Sequence, residues 1–308
     1  MARVAFLGSD RWSVPSLEAL HESSHEVVLV ATRPPKPAGR GSKLTPTPVA
    51  EATRALALPL IEPRTVKSGE GLDSLREARP DVLVVVAYGE ILPAAVLEVP
   101  RIAPVNLHFS LLPELRGAAP VQRALLEGME VTGVTTIRMD EGMDTGPVLL
   151  QAEEAIDPED DAGALGSRLA AVGARLAVDT VDRLEGGDVE EKPQDELRAT
   201  FAPKLSADDR WLDWTRPAHE LWRRVRALGP DPAASTRFRG DVLKVYRAAV
   251  HEGDGKPGTV LAAGPEAFLV ATARGALGLL EVAPAGRRRM STAEFLRGHR
   301  PEPGERLG

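Results

Sequence analysis

Three polar residues in the first half of the chain could act together in catalysis. Asn106 and His108 lie two residues apart at the end of an apolar stretch, and side chains two apart on a strand project from the same face. Asp144 belongs to a second segment, MDEGMDTGPVLL (139–150), where it stands between glycines in a turn after another strand pattern. A carboxylate in such a turn could orient or charge a histidine that arrives from a neighbouring strand.

An amide, an imidazole and a carboxylate make a set without a nucleophile. Amide and imidazole N–H groups can stabilise an oxyanion, and the carboxylate can assist proton transfer. The set predicts direct transfer of an acyl group between two bound ligands, without a covalent enzyme intermediate. The alternative is that Asn106 and His108 are a buried polar pair that satisfies the backbone of a loop.

The elements that would position these residues alternate along the first half of the chain. Short runs rich in Val and Leu predict buried strands, and the stretches between them predict helices. Repeated strand–helix–strand units indicate an α/β fold with a Rossmann-like, mostly parallel sheet and helices on both faces. Ligands bind at the carboxyl ends of such strands, where Asn106 and His108 would lie. The predicted strands cover 3–8, 26–32, 81–89 and 104–109, and the helices cover 14–22, 47–57 and 74–79.

The remainder of the chain predicts a second, smaller domain. Strands are expected at 131–140 and 148–156 and a long helix at 159–185, before a stretch rich in Gly, Pro and charge. One further helix at 217–228 precedes strand patterns at 236–250, 256–264 and 275–283, which are typical of a small β-barrel. We therefore predict a catalytic domain over 1–188, a linker over 189–205 and a C-terminal β-barrel domain over 206–308.

The composition excludes several classes of protein. No apolar run approaches the roughly 18 residues of a membrane span, and the N-terminus lacks a signal-peptide pattern, so we expect a cytoplasmic protein. The absence of Cys from the 308 residues excludes disulfides, a thiolate metal site and a Cys nucleophile. The turn after the first strand contains Gly8 but not the G-x-G-x-x-G pattern of dinucleotide sites, which argues against bound NAD.

Two features hint at a polyanion partner. Residues 201–308 hold 18 Lys and Arg against 13 Asp and Glu, although the whole chain has a net charge of −7. The stretch RPPKPAGRGSKLTPTP (33–48) contains no acidic residue and is long for an α/β connection. It is either a solvated loop or an arm that contacts phosphates. Its basic residues are Arg33, Lys36, Arg40 and Lys43.

Two motifs resemble those of a known enzyme family. The segment N-L-H-x-S-L-L-P-x-x-R-G-x-A-P (106–120), followed by M-D-x-G-M-D-T-G-P-V (139–148), is similar to the signature of enzymes that transfer a formyl group from 10-formyltetrahydrofolate to an amine. The basic loop, with KPAGRG at 36–41, resembles the branch of this family that formylates methionyl-tRNA. The resemblance extends over the whole chain, through VPSLEAL (14–20), VVVAYGEILP (84–93), APKLSADDRWLDW (202–214) and RALGPDPAAST (226–236).

The resemblance implies a role for each motif. Asn106 and His108 would stabilise the oxyanion that forms when the neutral α-amine of initiator methionyl-tRNA attacks the formyl carbon. Asp144 would support charged His108 and assist proton movement to the departing nitrogen. The tRNA would bind Arg33, Lys36, Arg40 and Lys43 and an OB-like C-terminal domain. The folate would lie against Tyr88, Gly89, Ile91, Leu92, Ser110, Leu111, Leu112, Pro113, Arg138 and Asp140. Neither a metal nor a membrane is implied, and a monomer is expected.

One turn departs from the family pattern, and related activities remain as alternatives. Residues 8–12 read Gly-Ser-Asp-Arg-Trp where the family usually has Gly-Thr-Pro-Asp-Phe, and Ser42 stands where a Lys is common. A sugar-nucleotide amine formyltransferase would share the catalytic set without needing the basic loop. Glycinamide ribonucleotide transformylases lack a second domain of this size, and formyl-folate hydrolases usually carry an extra leading domain. A non-catalytic RNA-binding module would have no need for Asn106, His108 and Asp144 together.

Overall fold

Runs of consecutive apolar residues form the central strands of a large sheet. All residues of the strand Val82–Val86 are buried, and so are all but the first residue of Arg3–Gly8. Strands that are buried on both faces are typical of parallel sheets covered by helices. The computed structural model describes residues 1–38, 43–264 and 267–308, and these divide into two compact units.

Unit 1 contains the described residues within 1–120, 131–155 and 166–203. The strands in this part of the chain are β1 (Arg3–Gly8), β2 (Glu26–Ala31), β3 (Lys36–Ala38), β4 (Lys43–Thr45), β5 (Leu60–Ile61), β6 (Val82–Val86), β7 (Ala103–His108), β8 (Val131–Arg138) and β9 (Val148–Ala155). The helices up to residue 186 are α1 (Val14–Glu22), α2 (Pro48–Ala55), α3 (Gly69–Ala78), α4 (Ala94–Leu97), α5 (Pro120–Glu127) and α6 (Ala162–Gly186). Most of α5 and the first turn of α6 are assigned to unit 2.

The sheet of unit 1 has seven strands in the order β5-β2-β1-β6-β7-β8-β9. Neighbouring strands from β5 to β7 run parallel, whereas β8 is antiparallel to β7 and β9 is antiparallel to β8. The predicted mostly parallel sheet is confirmed. The short strands β3 and β4 pair with each other outside this sheet.

Helix boundaries follow the local chemistry of the chain. The side chain of Thr47 accepts the backbone N–H of Ala50, and Pro48 occupies the first position of α2. Helix α1 has the predicted bounds, whereas α3 begins at Gly69, earlier than the predicted residue 74. The sequence pattern did not predict the first turn of α3 because this turn contains Gly69 and Gly71. Glycine is a poor helix former and contributes no apolar side chain to the pattern.

Unit 2 contains the described residues within 121–130, 156–165 and 204–308. Its later elements are α7 (Ala218–Leu228), β10 (Ala234–Phe238), β11 (Asp241–His251), β12 (Val260–Gly264), β13 (Ala267–Ala271), β14 (Ala276–Pro284), β15 (Met290–Ser291) and α8 (Thr292–His299). The strands form an antiparallel sheet in the order β10-β11-β14-β13-β12, with β15 paired to β14. The predicted small C-terminal β domain is therefore confirmed as an antiparallel sheet.

Aromatic rings fill the core of unit 2. The ring of Phe295, on α8, lies 5.7 Å from that of Phe238 and 5.8 Å from that of Phe268, measured between centroids. Helix α8 closes the core with these contacts, yet no sequence pattern predicted this helix. Its eight residues include Gly298 and only two large apolar side chains, Phe295 and Leu296, so no helical periodicity stands out.

The strand predicted at 236–250 is wrong, because the chain turns within it. Strand β10 ends at Phe238 and β11 begins at Asp241, and these two residues pair with each other. The two residues between them, Arg239 and Gly240, have φ angles of 51° and 87°. A two-residue hairpin turn with both φ angles positive matches the twist of the flanking strands, and Arg-Gly carries a weaker signal for it than Asn-Gly.

The stretch 190–203 belongs to unit 1. The predicted domain limits of 1–188, 189–205 and 206–308 stay a prediction. Among the described residues, no helix combines the length and the apolar character needed to cross a membrane.

Candidate active site

Strand β7 carries Asn106 and His108 to the same face of the sheet. This strand lies between β6, with which it is parallel, and β8, with which it is antiparallel. Asn106 is half-buried, and His108 is only 6% exposed. Two polar side chains held by an interior strand have few rotamers open to them, so their direction is set by the backbone.

The loop between β8 and β9 brings Asp144 to these two residues. Its Oδ1 atom accepts a hydrogen bond from Nδ2 of Asn106 at 3.2 Å, and its Oδ2 atom lies 3.6 Å from Nδ1 of His108. Oδ2 also accepts the backbone N–H of Gly117 at 2.8 Å. The structure therefore gathers all three predicted catalytic side chains at one point, with the carboxylate in the centre.

The backbone at Asp144 adopts a conformation that few residues tolerate. Its φ angle is 58°, in the left-handed region, which Gly, Asn and Asp enter more readily than other residues. Nearby, a Cβ atom on Gly146 would lie 1.8 Å from the carbonyl oxygen of Arg138. The loop needs glycine because its backbone passes close to β8. Its glycine content therefore does not indicate a flexible backbone.

Both ring nitrogens of His108 face acceptors of the protein. Nε2 lies 2.9 Å from the carbonyl oxygen of Leu115, and Nδ1 faces the carboxylate of Asp144. A neutral imidazole can donate to only one of these two groups, whereas the protonated ring can donate to both. The imidazole thus contacts a carbonyl oxygen on one side and faces a carboxylate at 3.6 Å on the other, and this pair could move or hold a proton.

Two positions that contact the predicted catalytic residues were not predicted as site residues. The carbonyl of Leu115 faces His108 and the N–H of Gly117 donates to Asp144, and both belong to the loop after β7. Their side chains do not make these contacts, so residue type gave no signal beyond the motif itself. Gln194 was missed as well, because it lies in a stretch without periodicity. Its Nε2 atom donates to the carbonyls of Asp144 and Gly146 at 2.8 and 2.7 Å.

The residues predicted to hold folate through the loop after β7 are mostly buried. The hydroxyl of Ser110 donates to the carbonyl of Glu114, and the carbonyl of Ser110 accepts from the hydroxyl of Thr135. Leu112 packs with Ile137 and Val148 in a small apolar cluster. Pro113 and Leu111 are part of the same loop, and Leu111 contacts Gly133 on β8. Ser110 and Leu112 are thus enclosed by neighbours of their own unit.

The loop after β6 contains Tyr88, Gly89, Ile91 and Leu92. Tyr88 and Leu92 are buried in one apolar cluster, against which Met139 of the β8–β9 loop also packs. Ile91, in contrast, is 65% exposed. Burial raises the pKa of Tyr88 to about 12, with a smaller contribution from the nearby Glu90 carboxylate. The two loops that were predicted to wall the folate thus meet in one cluster and present an exposed apolar side chain.

The two polar residues predicted to wall the folate have partners within unit 1. The guanidinium of Arg138 donates to the carboxylate of Glu191 and to the carbonyl of Ile102, at 2.8 and 2.9 Å. The Oδ1 atom of Asp140 accepts from the hydroxyl of Thr145 at 2.7 Å and from a backbone N–H within its own loop. Asp140 is exposed, whereas the Arg138 side chain is turned towards the start of β7.

The basic loop that was predicted to contact tRNA is described in part. The guanidinium of Arg33 donates from Nε to the carbonyl of Tyr88 at 3.0 Å and from Nη2 to the carbonyl of Gly89. Lys36 is exposed on β3. Arg40 lies outside the described residues, and the side chain of Lys43 lies outside them too. Arg33 therefore supports the loop after β6, and Lys36 is free to meet a ligand from solution.

The turn that departs from the family pattern lies next to the loop after β7. Asp10 caps a short 3₁₀ helix at Arg11–Ser13 by accepting the N–H of Trp12 at 3.0 Å. The indole of Trp12 meets the ring of Phe109 edge to face, with 6.0 Å between centroids. A Cβ atom on Gly166 of α6 would lie 2.1 Å from this indole. Trp12 thus fills the position of the usual Phe with a larger ring, which Gly166 accommodates.

Within the described ranges, no group of three or more His, Asp or Glu side chains is arranged to hold a metal ion.

Comparison with known proteins identifies the family of both units. Residues 2–181 match the model of the formyl transferase family, and residues 204–300 match that of the formyl transferase C-terminal domain. Curated relatives named methionyl-tRNA formyltransferase include one from Thermus thermophilus, 46% identical over 306 residues, which cover 99% of each chain. Another, from Pelotomaculum thermopropionicum, is 43% identical over 299 residues, covering 96% of this chain and 95% of the relative.

Solved structures share the fold at lower identity. An N-formyltransferase from Helicobacter canadensis, in complex with folinic acid and dTDP-3-aminofucose, has a TM-score of 0.68 at 16% identity and covers 91% of this chain and 99% of its own. HypX from Aquifex aeolicus, in complex with tetrahydrofolic acid, has a TM-score of 0.66 at 20% identity, with 96% of this chain and 47% of its own covered. At such identities, the solved structures show only a shared fold. The family is decided by the full-length relatives that are 40% identical or more. The chain belongs to the formyl transferase family and, within it, to the methionyl-tRNA formyltransferases.

Proposed function

We propose that this chain transfers the formyl group of 10-formyltetrahydrofolate to the α-amine of initiator methionyl-tRNA. The observation that carries the proposal is that the side chains of Asn106 and His108 both lie against the carboxylate of Asp144. The full-length relatives named for this activity support the same substrate pair.

The reaction needs a hydrogen-bond donor to the oxyanion, and one N–H group of the Asn106 amide is available for this role. Its amide carries two N–H groups, and Asp144 accepts only one of them. When the neutral amine of methionine attacks the formyl carbon, a C–N bond forms and the carbonyl electron pair moves to oxygen. The second N–H of Asn106 would stabilise that oxyanion. His108 would add a donor from Nε2 if the oxyanion shares or displaces the carbonyl of Leu115.

Collapse of the intermediate requires a proton to change place. The attacking nitrogen becomes an ammonium and must lose a proton, while the N10 atom of folate must gain one as its bond to carbon breaks. Asp144 and His108 lie 3.6 Å apart and can accept and return a proton between them. The products are formyl-methionyl-tRNA and tetrahydrofolate, and no electrons are gained or lost.

The residues of unit 1 fit a folate. The pterin ring is flat and needs apolar faces together with polar groups at its edge. Ile91 and Met143, from the two loops that meet through the Tyr88 cluster, are 65% and 49% exposed. Exposed apolar side chains on two converging loops are suited to cover such a ring. Backbone groups of residues 88–92, held by Arg33, would supply the polar edge.

The competing proposal is formyl transfer to a nucleotide-linked amino sugar. The resemblance to the Helicobacter canadensis enzyme supports a common fold but not a common acceptor, because the identity is 16%. The excess of basic residues in 201–308, 18 against 13 acidic, favours a polyanionic acceptor such as tRNA. We also propose that the chain acts in the cytoplasm, as a monomer and without a metal ion.

An assay with both acceptors tests the proposal. The purified chain is incubated with 10-formyltetrahydrofolate and either charged initiator tRNA or a dTDP-linked amino sugar, and the products are identified by mass. We expect formyl-methionyl-tRNA and no formylated sugar. Formylation of the sugar alone would support the alternative, and the absence of either product would contradict formyl transfer altogether.

A further inference from the structure

A segment that follows α6 and contains a short 3₁₀ helix at Glu196–Arg198 lies against the two catalytic loops of unit 1. We call residues 192–202 the strap. At one end, the backbone of Lys192 exchanges two hydrogen bonds with Val148, directly after the β8–β9 loop. At the other end, Arg116 and Ala202 are joined by a hydrogen bond of 2.7 Å, and Arg116 and Thr200 by one of 2.9 Å. The strap therefore joins the loop that carries Asp144 to the loop that faces His108.

The side chain of Gln194, in the middle of the strap, uses all of its hydrogen-bonding capacity. Its Oε1 atom accepts two N–H groups of Arg116, at 3.1 and 2.8 Å. Its Nε2 atom donates to the backbone carbonyls of Asp144 and Gly146. Because a guanidinium only donates, the amide oxygen must face Arg116 and the NH2 group must face the carbonyls. The orientation of this amide is thus fixed by its partners.

Arg116 is itself held in place. It is buried, at 2% exposure, and two of its other N–H groups donate to the two carboxylate oxygens of Glu196 at 2.9 and 2.8 Å. The hydrogen bonds to Glu196 raise the pKa of Arg116, so its charge is secure. Gln194 is therefore positioned by a buried cation before any ligand binds.

The carbonyls that Gln194 holds belong to the turn in which Asp144 has a positive φ angle. Asp enters this region more readily than most residues, and tertiary contacts keep the turn in this conformation. The side chain of Asp144 makes hydrogen bonds to Asn106 and Gly117, but these fix only the carboxylate. Gln194 holds the backbone peptide groups of the turn that carries this carboxylate. Without it, the turn could relax and move the carboxylate relative to His108.

We propose that Gln194 is a positioning residue for formyl transfer, and that its amide N–H groups hold the Asp144 turn in its reactive geometry. The proposal rests on the proposed function. Gln194 does not have to contact either substrate for this role, and Arg116 and Glu196 act through it. A misplacement of about 1 Å at a reacting group can lower a rate by about a hundredfold.

Two substitutions of Gln194 separate this role from simple docking of the strap. Gln194→Glu keeps an acceptor for Arg116 and adds a charge, so the strap stays docked, but it places a carboxylate oxygen against two carbonyl oxygens. Gln194→Met loses both sets of hydrogen bonds at nearly the same size. Positioning predicts that kcat falls by about 10- to 100-fold in both variants, with Gln194→Glu at least as impaired as Gln194→Met. The KM for methionyl-tRNA should change little.

The control and the contrary outcomes are defined by the same assay. Glu190→Gln removes a charge just ahead of the strap from a side chain that is 81% exposed, and we expect wild-type kcat. Thermal unfolding is measured for every variant. Wild-type kcat in Gln194→Glu together with a loss in Gln194→Met would show that docking alone matters, and would overturn the proposal. A fall in kcat that only follows a lower Tm would overturn it as well. An inactive wild-type chain would instead overturn the proposed function itself.

Discussion

The proposed catalytic site of unit 1 and the basic run Arg287–Arg289 of unit 2 are built in opposite ways. In unit 1, the carboxylate of Asp144 has three neighbours within 3.6 Å, and the side chain behind it, Gln194, is saturated with hydrogen bonds. In unit 2, Arg288 and Arg289 pair with single carboxylates while their side chains remain 78% and 41% exposed. Arg226 is an intermediate case, because it stacks over Trp222 and donates to two carbonyls.

This difference fits the roles that we propose for the two regions. An oxyanion donor stabilises the transition state only if its N–H group points at the developing negative charge. A network of buried hydrogen bonds fixes that direction. A phosphate attracts a cation across several ångströms of water, so exposed and mobile arginines suffice. Substitutions in the first region should therefore change kcat, whereas those in the second should change KM and its dependence on salt.

The strongest test of the comparison is Asn106→Ala. We expect kcat to fall by about 10²–10³-fold, since one oxyanion donor is lost, with little change in tRNA binding. Single-turnover formylation and a tRNA-binding assay on the same sample give the two quantities. A variant with near-normal kcat would refute the role of Asn106. It would also show that catalysis does not depend on the fixed direction of this side chain.

Arg33→Met tests whether a basic residue in unit 1 supports a loop or binds phosphate. Its guanidinium donates to the carbonyls of Tyr88 and Gly89, so its loss should loosen the proposed folate wall. We expect KM for 10-formyltetrahydrofolate to rise about tenfold, the equivalent of one charge-assisted hydrogen bond, and KM for tRNA to stay unchanged.

The matched control for Arg33→Met is Lys36→Met. Lys36 is exposed, and its substitution should leave KM for folate unchanged while raising KM for tRNA slightly. If Arg33→Met raised KM for tRNA alone, the first prediction of a phosphate-binding Arg33 would be supported instead.

Arg287→Ala probes the charged surface of unit 2. Arg287 is exposed, and its side chain forms no ion pair with any residue in the described ranges, unlike Arg288 and Arg289. If the surface binds phosphate, tRNA affinity should fall a few-fold, and the slope of log affinity against log salt should become shallower by about one unit. The measurement is tRNA binding over a series of salt concentrations. An unchanged slope would place the phosphate contacts elsewhere.

Asp81→Asn removes a charge in unit 1 away from the proposed chemistry. The N–H of Arg3 and the guanidinium of Arg101 hold the pKa of Asp81 below its usual range. A lowered folded pKa stabilises the protein above the unfolded pKa, and that stability is lost as pH falls through the folded pKa. We expect the variant to lose about 1 kcal/mol of unfolding free energy at pH 7, and the difference to shrink only below about pH 4, as the pH falls through the lowered pKa of Asp81.

Denaturant unfolding at several pH values measures this effect. The kcat of Asp81→Asn should equal that of the wild type, because Asp81 precedes β6 whereas His108 ends the parallel strand β7. A large loss of kcat would show that the site depends on distant parts of the sheet.

Much of the fold was predictable because it depends on local patterns. Buried strands such as β1 and β6 consist of unbroken apolar runs, and the bounds of α1 followed from its periodicity. Helix α8 and the turn at Arg239–Gly240 were missed, because a short helix and an atypical hairpin turn give weak local signals. Within the site, Asn106, His108 and Asp144 were found by residue type and motif, whereas Gln194 had neither.

The sequence by itself determined the alternation of the main strands and helices in the first half of the chain, the family and the three polar residues on which the proposed chemistry depends. Each of these follows from short stretches of chain, in which neighbouring residues act on one another. Only the tertiary structure decided that Arg33 supports a loop, that a backbone carbonyl faces His108 and that Gln194 reaches back from the strap to the Asp144 turn. The first and the last of these contacts join residues 55 and 50 positions apart. Hydrogen bonds to main-chain groups leave no mark in the sequence of the partner that accepts them.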